Sequence, residues 1–285
     1  MAKKADTKAA ETEETKSSLP AVQEAAGLPA EVADQFEDDA GAGTEDATLR
    51  DQVIPFYRII QSLSPQKKKS DPVNYIKEAE EGDLINTATK ELFKSDEGIH
   101  VIMVDFARRY TEWKPRDKGG GLVADYGDDE TCFAKRKAKP NEKGRMITPE
   151  GNEIILSGNH FCIRVDPESG DILDRGVFSM SSTYLKKSRE WITTIKNIQL
   201  KNSKGKFFNP ASYYMVYHVR TVLQSNQQGE WFNYLIEPFK PVVELPGGMD
   251  LYLTAKKFHD EIRKGTVQVA ADQGDGSADD ADVPF

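Results

Sequence analysis

The sequence predicts a mainly β fold with two added helices, and three observations support this prediction. Short apolar runs rich in β-branched and aromatic residues recur between residues 53 and 238, separated by turn-forming Gly, Pro, Asn and Asp. Helical spacing of apolar residues is clear in two segments, 182–198 and 249–264. No run of about 18 apolar residues occurs, so we expect no membrane-spanning helix.

The extended segments follow one another with turn residues between them. In chain order they are Val53–Ile60, Gly82–Asn86, Gly98–Phe106, Thr131–Lys137, Glu153–Val165, Ile172–Met180, Ser212–Gln224 and Trp231–Pro238. Two joins are typical of hairpins. Residues 166–171 combine Pro and Gly with acids that tolerate turn geometry, and residues 225–229 contain Asn and Gly.

The two helices differ in position along the chain. Ser182 and Thr183 can cap a helix that runs to about Ile198, and a second helix runs from about Met249 to Lys264. Their apolar stripes are Leu185, Ile192, Ile195 and Ile198 in the first and Leu251, Ala255, Phe258 and Ile262 in the second. Many short strands, one inserted helix and one C-terminal helix favour an OB-type barrel of five to six strands with long loops.

Charge divides the chain into three parts. Residues 1–50 hold 5 Lys/Arg and 12 Asp/Glu, residues 265–285 hold no Lys/Arg and 5 Asp, and residues 51–264 hold 33 Lys/Arg and 30 Asp/Glu. The two ends contain too few apolar residues for buried surface to offset the entropy that they would lose on ordering. We therefore expect a disordered acidic N-terminal segment over 1–49, one folded domain over 50–264 and a flexible acidic tail over 265–285.

The residue pattern argues against an enzyme and against a bound cofactor. Cys132 and Cys162 are thirty residues apart and predict buried, reduced thiols in a cytoplasmic protein rather than a metal site. The glycines at 119–121 lack the phosphate-binding loop pattern, and the four His residues lack metal-ligand spacing. The acids at 125 and 128–130 could form the metal site of a nuclease, but a solvated turn explains them better because they lie beside a glycine.

The last residues carry the most specific motif. The chain ends with an acidic run, an apolar residue, Pro and Phe: Asp279, Asp280, Ala281, Asp282, Val283, Pro284 and Phe285. This tip resembles that of bacterial single-stranded DNA-binding proteins, and phage-encoded proteins of this class also tend to have acidic tails. The resemblance implies that Asp279, Asp280, Asp282, Val283, Pro284 and Phe285 recruit partners such as a polymerase, a primase or helicase, or a nuclease. A ring beside a terminal carboxylate suits an apolar pocket flanked by a basic residue.

Three clusters interleave basic and aromatic residues, which is how proteins hold single strands by phosphate contacts and base stacking. The candidate DNA-binding residues are Arg108, Arg109, Tyr110, Trp113, Lys114, Arg116, Phe133, Lys135, Arg136, Lys137, Lys204, Lys206 and Phe207. Tyr110 and Trp113 are the preferred stacking platforms because charged residues flank both. Lys186, Lys187 and Arg189 suit either DNA contact or a solvated helix face.

These observations predict a sequence-independent binder of single-stranded DNA in phage replication or recombination, located in the host cytoplasm and without a membrane partner. A homo-oligomer stays open. Two alternatives also stay open: a recombination protein that anneals single strands, and a replisome adaptor that does not bind DNA. The strand-rich body favours the binding of single-stranded DNA over strand annealing, because long basic helices would favour an annealing protein.

Overall fold

The computed structural model describes residues 36, 38–39, 42–47, 51–226, 229–265 and 268–269, without the side chains of 116, 268 and 269. The proposed tip 279–285 lies outside the described residues. Most of the N-terminal segment 1–49 and most of the tail 265–285 also lie outside them. All elements below belong to the compact unit Gly41–Phe285.

Fifteen strands and three α-helices lie in the described residues. The strands are β1 (Val53–Ile54), β2 (Tyr57–Ile59), β3 (Leu84–Asn86), β4 (Leu92–Phe93), β5 (Ile99–Trp113), β6 (Leu122–Asp125), β7 (Lys139–Pro140), β8 (Met146–Ile147), β9 (Glu153–Val165), β10 (Ile172–Ser181), β11 (Leu200–Lys201), β12 (Phe207–Phe208), β13 (Met215–Asn226), β14 (Gly229–Pro241) and β15 (Gln268–Val269). The helices are α1 (Cys132–Lys135), α2 (Leu185–Asn197) and α3 (Gly248–Arg263).

The main sheet is a curled antiparallel half-barrel, so the prediction of a mainly β fold is confirmed. Its central strands lie in the order β14-β13-β5-β9-β10. The strands β5, β9 and β10 follow one another, and β13 returns through α2 to pair with β5. This order is a Greek key.

The strands β5 and β9 are long enough to pair with different strands at their two ends. Near one end, β13 pairs with residues 99–102 of β5, and β10 pairs with residues 157–165 of β9. At the other end the same two strands pair with β6 and β8, and the segment between them contains α1 and β7. We call residues 109–156 the arm. The arm has its own small core, in which Tyr110, Cys132 and Ile154 are buried.

The two longer helices cover opposite faces of the half-barrel. Trp191 and Ile195 of α2 pack with Val101, Met103 and Cys162, whose side chains point to one face. From α3, Leu251, Ala255 and Phe258 pack with Ile102, Val104 and Ile163, which alternate to the other face. Both predicted helices are present. The expected cap is wrong, because Tyr184 and not Ser182 or Thr183 occupies the N-cap position of α2, and the prediction did not include the buried Trp191 in the apolar stripe.

One extended segment was assigned wrongly. Residues 131–137 were expected to continue a strand, but Cys132–Lys135 form α1. Asp129 favours this turn because its carboxylate accepts a hydrogen bond from the Thr131 amide at 3.0 Å and pairs with the Lys135 ammonium at 2.6 Å. A four-residue run is too short for alternation to separate strand from helix. The prediction of buried, unpaired thiols at Cys132 and Cys162 is confirmed.

Gly158 of β9 lets α2 lie close to the sheet. A Cβ atom there would lie 2.5 Å from Ser188 Oγ of α2 and 3.0 Å from the Phe106 ring. We therefore expect Gly158→Ala to destabilise the protein by about 1–3 kcal/mol through overpacking. Chemical denaturation measures this loss. Ser157→Ala, at the neighbouring position on the opposite face, should cost less, and equal losses would contradict the proposed steric cause.

In the described part of the chain, no helix combines the length and the apolar character needed to cross a bilayer.

Candidate nucleic-acid interface

Three of the six basic residues expected to bind DNA in the arm already have acidic partners. The Arg109 guanidinium lies 2.6 Å from Asp125, and the Lys135 ammonium lies 2.6 Å from Asp129. Arg136 lies 2.8 Å from the Glu112 carboxylate. A cation that is paired with a carboxylate binds a phosphate less strongly than a free cation does, because the existing ion pair must first be broken. The arm is therefore a weaker candidate than the sequence suggested.

The preferred stacking platforms are not exposed. Tyr110 is 2% exposed and Trp113 is 7% exposed. Phe133 packs edge-on against Tyr110 with ring centroids 5.2 Å apart, and the Trp113 indole donates to Thr111 Oγ1 at 2.9 Å. The structure thus corrects the expectation that Tyr110 and Trp113 present open faces. Flanking charges did not indicate exposure because alternation turns neighbouring side chains to opposite faces of a strand.

Glu112 is the centre of a structural network within the arm. Its fully buried carboxylate accepts two hydrogen bonds from Arg136 at 2.8 Å, one from Tyr126 at 2.5 Å and one from Asn152 at 2.7 Å. The Arg136 guanidinium is the main reason why the pKa of Glu112 falls to about 2. Burial and the Glu112 carboxylate raise the pKa of Tyr126 to about 12. This geometry indicates that Arg136 stabilises the arm.

The other candidate residues of the arm and its base are placed differently. Lys114 and Lys137 are exposed, and Lys137 adopts a left-handed backbone conformation with φ of 52° after α1. Arg108 is exposed on β5. The backbone of Arg116 lies in a short 3-10 helix, and its side chain lies outside the described residues.

A second region, α2 and the hairpin β11–β12, has the strongest local excess of positive charge. Residues 185–208 contain seven Lys/Arg and one acid, Glu190. Within the described residues, an ion pair joins Glu190 to Lys187 at 2.9 Å, and none is present at Lys186, Arg189 or Lys196. These three residues follow helical spacing and form one exposed stripe about 15 Å long. The stripe ends where the hairpin begins.

The hairpin presents its basic residues on a tightly turned tip. Asn202 Oδ1 accepts hydrogen bonds from the amides of Lys204 and Lys206, each at 3.0 Å. Gly205, with φ of +77°, occupies the left-handed region that the turn requires. The Asn202 amide also donates to the Lys206 carbonyl at 3.0 Å. The turn therefore fixes the backbone from which both lysines project.

Two phenylalanines of this hairpin are open to solvent. Phe207 is 62% exposed and Phe208 is 46% exposed. The Lys201 ammonium lies 5.7 Å from the centroid of the Phe207 ring, across the strand pair. Exposed aromatic faces beside cations are the combination that binds unstacked bases. Of the expected aromatic contacts, Phe207 is the one that the structure presents in this way, and Phe208 and Lys201 accompany it.

The hairpin and α2 are held firmly to the rest of the protein. The Asn209 side-chain amide donates to the carbonyls of Lys196 and Ile198 at 2.6 and 3.0 Å, which joins the hairpin to the end of α2. On the sheet, His160 Nε2 lies 2.8 Å from Ser188 Oγ, and its ring stacks on Trp191 with centroids 4.6 Å apart. Burial lowers the pKa of His160 to about 3, so this imidazole is a neutral packing group.

Sheet register places Arg108 beside this region. Arg108 pairs with Gly158, whose missing side chain makes room for Ser188 of α2. Side chains of residues directly opposite each other in an antiparallel pair point to the same face. Arg108 therefore lies on the face that α2 covers. We define the basic surface by the following residues: Arg108, Lys186, Arg189, Lys196, Lys201, Lys204, Lys206, Phe207 and Phe208.

Comparison with known proteins gave one match. A family model described as Pam3 phage gp34-like protein matches residues 22–268. Neither the search of curated proteins nor the search of solved structures gave a match.

Proposed function

The chain belongs to the Pam3 phage gp34-like protein family, and on this premise we propose that it is a non-catalytic phage protein that binds single-stranded DNA through the basic surface. One observation carries the proposal: cations without ion-pair partners among the described residues lie beside two exposed phenylalanines on a firmly held hairpin. Cations track the phosphates of a strand and aromatic rings stack on its bases, without regard to sequence.

The strand order supports the same proposal. An OB fold is a five-stranded, partly open Greek-key barrel that binds oligonucleotides with the face of its second and third strands and with the loops after its first and fourth strands. The strands β5, β9, β10, β13 and β14 follow this plan, with β13 beside β5 and α2 between the third and fourth strands. We propose that the half-barrel is an OB fold opened between β10 and β14, with the arm as an enlarged first loop. The basic surface lies on the crossover between the third and fourth strands, so the strand order supports the class of ligand and the basic surface itself supports the site.

The C-terminal residues extend the proposal to partners. Asp279, Asp280, Asp282, Val283, Pro284 and Phe285 form the tip that resembles that of single-stranded DNA-binding proteins. We propose that this tip recruits replication or recombination proteins in the host cell. Aspartates steer such a tail to a basic receptor, and the terminal ring supplies an apolar anchor.

Fluorescence anisotropy with a labelled oligo-dT and a duplex of equal length tests DNA binding directly. We expect the single strand to bind more tightly, because the bases of a duplex are already stacked on each other. If about five phosphates are contacted, affinity should fall roughly 100-fold between 50 and 200 mM salt. Equal affinity for the duplex would refute the preference for single strands. No binding to oligo-dT at low salt would refute the proposal and favour an adaptor.

A further inference from the structure

The helix α3 has an exposed face that its packing on the sheet leaves open. Leu251, Ala255 and Phe258 bury the opposite side of the helix. On the open side, Met249 is 62% exposed and Leu253 is 54% exposed. Val243, 51% exposed, belongs to the short 3-10 helix that touches the start of α3, because Gly248 lies against its backbone. We call Val243, Met249 and Leu253 the apolar patch.

The same open side becomes basic toward the end of α3. Lys256 and Lys257 are exposed one turn beyond Leu253, and Lys264 is exposed at the end of the helix. These three lysines are without ion pairs among the described residues, and the acids Asp260 and Glu261 lie on the same side of the helix. From its last residue toward its first, the open side of α3 thus carries three lysines and two acids, a net charge of +1, and then the apolar patch.

The segment that follows has the complementary order. After β15, residues 270–285 contain the acids Asp272, Asp275, Asp279, Asp280 and Asp282, and then the apolar residues Val283, Pro284 and Phe285. From Lys264 back to Met249 the helix spans about 22 Å. Sixteen residues of chain can extend to about 55 Å, so the segment is long enough to return along α3.

We propose that the C-terminal segment of this chain docks on the open side of α3, with its aspartates beside Lys256, Lys257 and Lys264 and with Val283–Phe285 on the apolar patch. The order of charge and apolarity carries this inference, because it matches only when the segment runs antiparallel to the helix. The docking site lies on the face of the sheet opposite to α2. The docked tip therefore leaves the basic surface open, and a partner must displace the tip from α3 to read it.

Oxidation footprinting of the full-length protein tests the docking. Hydrogen peroxide converts accessible Met to its sulfoxide, and mass spectrometry measures the rate at Met249 relative to the partly buried Met146 of the arm. We expect Phe285→Ser to raise the relative rate at Met249 roughly fivefold, which corresponds to a patch covered about four-fifths of the time. An unchanged rate would overturn the proposal. Phe285 is not among the residues that the structure describes, so the substitution alters none of the contacts described above.

Two matched charge reversals separate docking on α3 from docking elsewhere. Lys256→Glu with Lys257→Glu should also raise the oxidation rate at Met249, because the aspartates then meet like charges. Lys186→Glu with Arg189→Glu, an equal change of charge on the basic surface, should leave the rate at Met249 unchanged. The reverse pattern would overturn the inference. Binding of oligo-dT by the same variants reports on the proposed function separately, since it does not require the tip to dock.

Discussion

Glu112→Gln is expected to destabilise the protein by about 3 kcal/mol at neutral pH. The amide keeps the shape of the side chain but turns an NH2 group or a neutral oxygen toward Arg136, in a position that is fully buried. Breaking one side of a buried charge pair typically costs about 3–5 kcal/mol, and the partial exposure of Arg136 reduces this. Chemical denaturation at pH 7 measures the loss.

The pH dependence of this effect has a definite sign. The pKa of Glu112 is lowered from 4.5 to about 2, mainly by the hydrogen bond from Arg136. A lowered pKa in the folded state gives stability that is complete above the ordinary pKa and is lost as pH falls through the folded one. The difference between the natural protein and Glu112→Gln should therefore be constant above about pH 4.5 and shrink toward about pH 2. A difference independent of pH in this range would show that the charge of Glu112 is not its cause.

A charge reversal at the hairpin tip, Lys204→Glu with Lys206→Glu, is expected to weaken binding to oligo-dT by about 30-fold at moderate salt. Two phosphate contacts are lost and two repulsions replace them, so the dependence of affinity on salt should also become shallower. Fluorescence anisotropy over a salt series measures both effects. Both lysines are exposed and Asn202 holds their backbone amides rather than their side chains, so we expect the fold to be retained.

Lys256→Glu with Lys257→Glu is the matched control for this prediction. It makes the same change in net charge at exposed positions of α3, on the opposite face of the sheet, and should change affinity by less than about threefold. If both double variants lost affinity equally, overall charge rather than the basic surface would account for binding.

Removing the rings of Phe207 and Phe208 should instead lower affinity with little change in salt dependence, because stacking involves no counterion release.

The sequence by itself determined most of the long strands, both longer helices and the distribution of charge. The strand β9 occupies the expected segment Glu153–Val165, α3 lies within one residue of its expected bounds, and α2 begins three residues late and ends one residue early. Such elements are predictable because apolar periodicity records which side of an element is buried. The failure at α1 arises from a run of four residues, which is too short to hold a period.

Only the tertiary structure decided which charged and aromatic residues are available to a ligand. Arg136 is engaged by Glu112, twenty-four positions away, and Tyr110 is buried beside Phe133. Phe207 has a similar sequence context of lysines, yet a two-residue strand at the tip of a hairpin leaves it 62% exposed. Local sequence shows that a cation or a ring is present, but the partner that neutralises or covers it comes from a distant segment, and the fold brings that segment close.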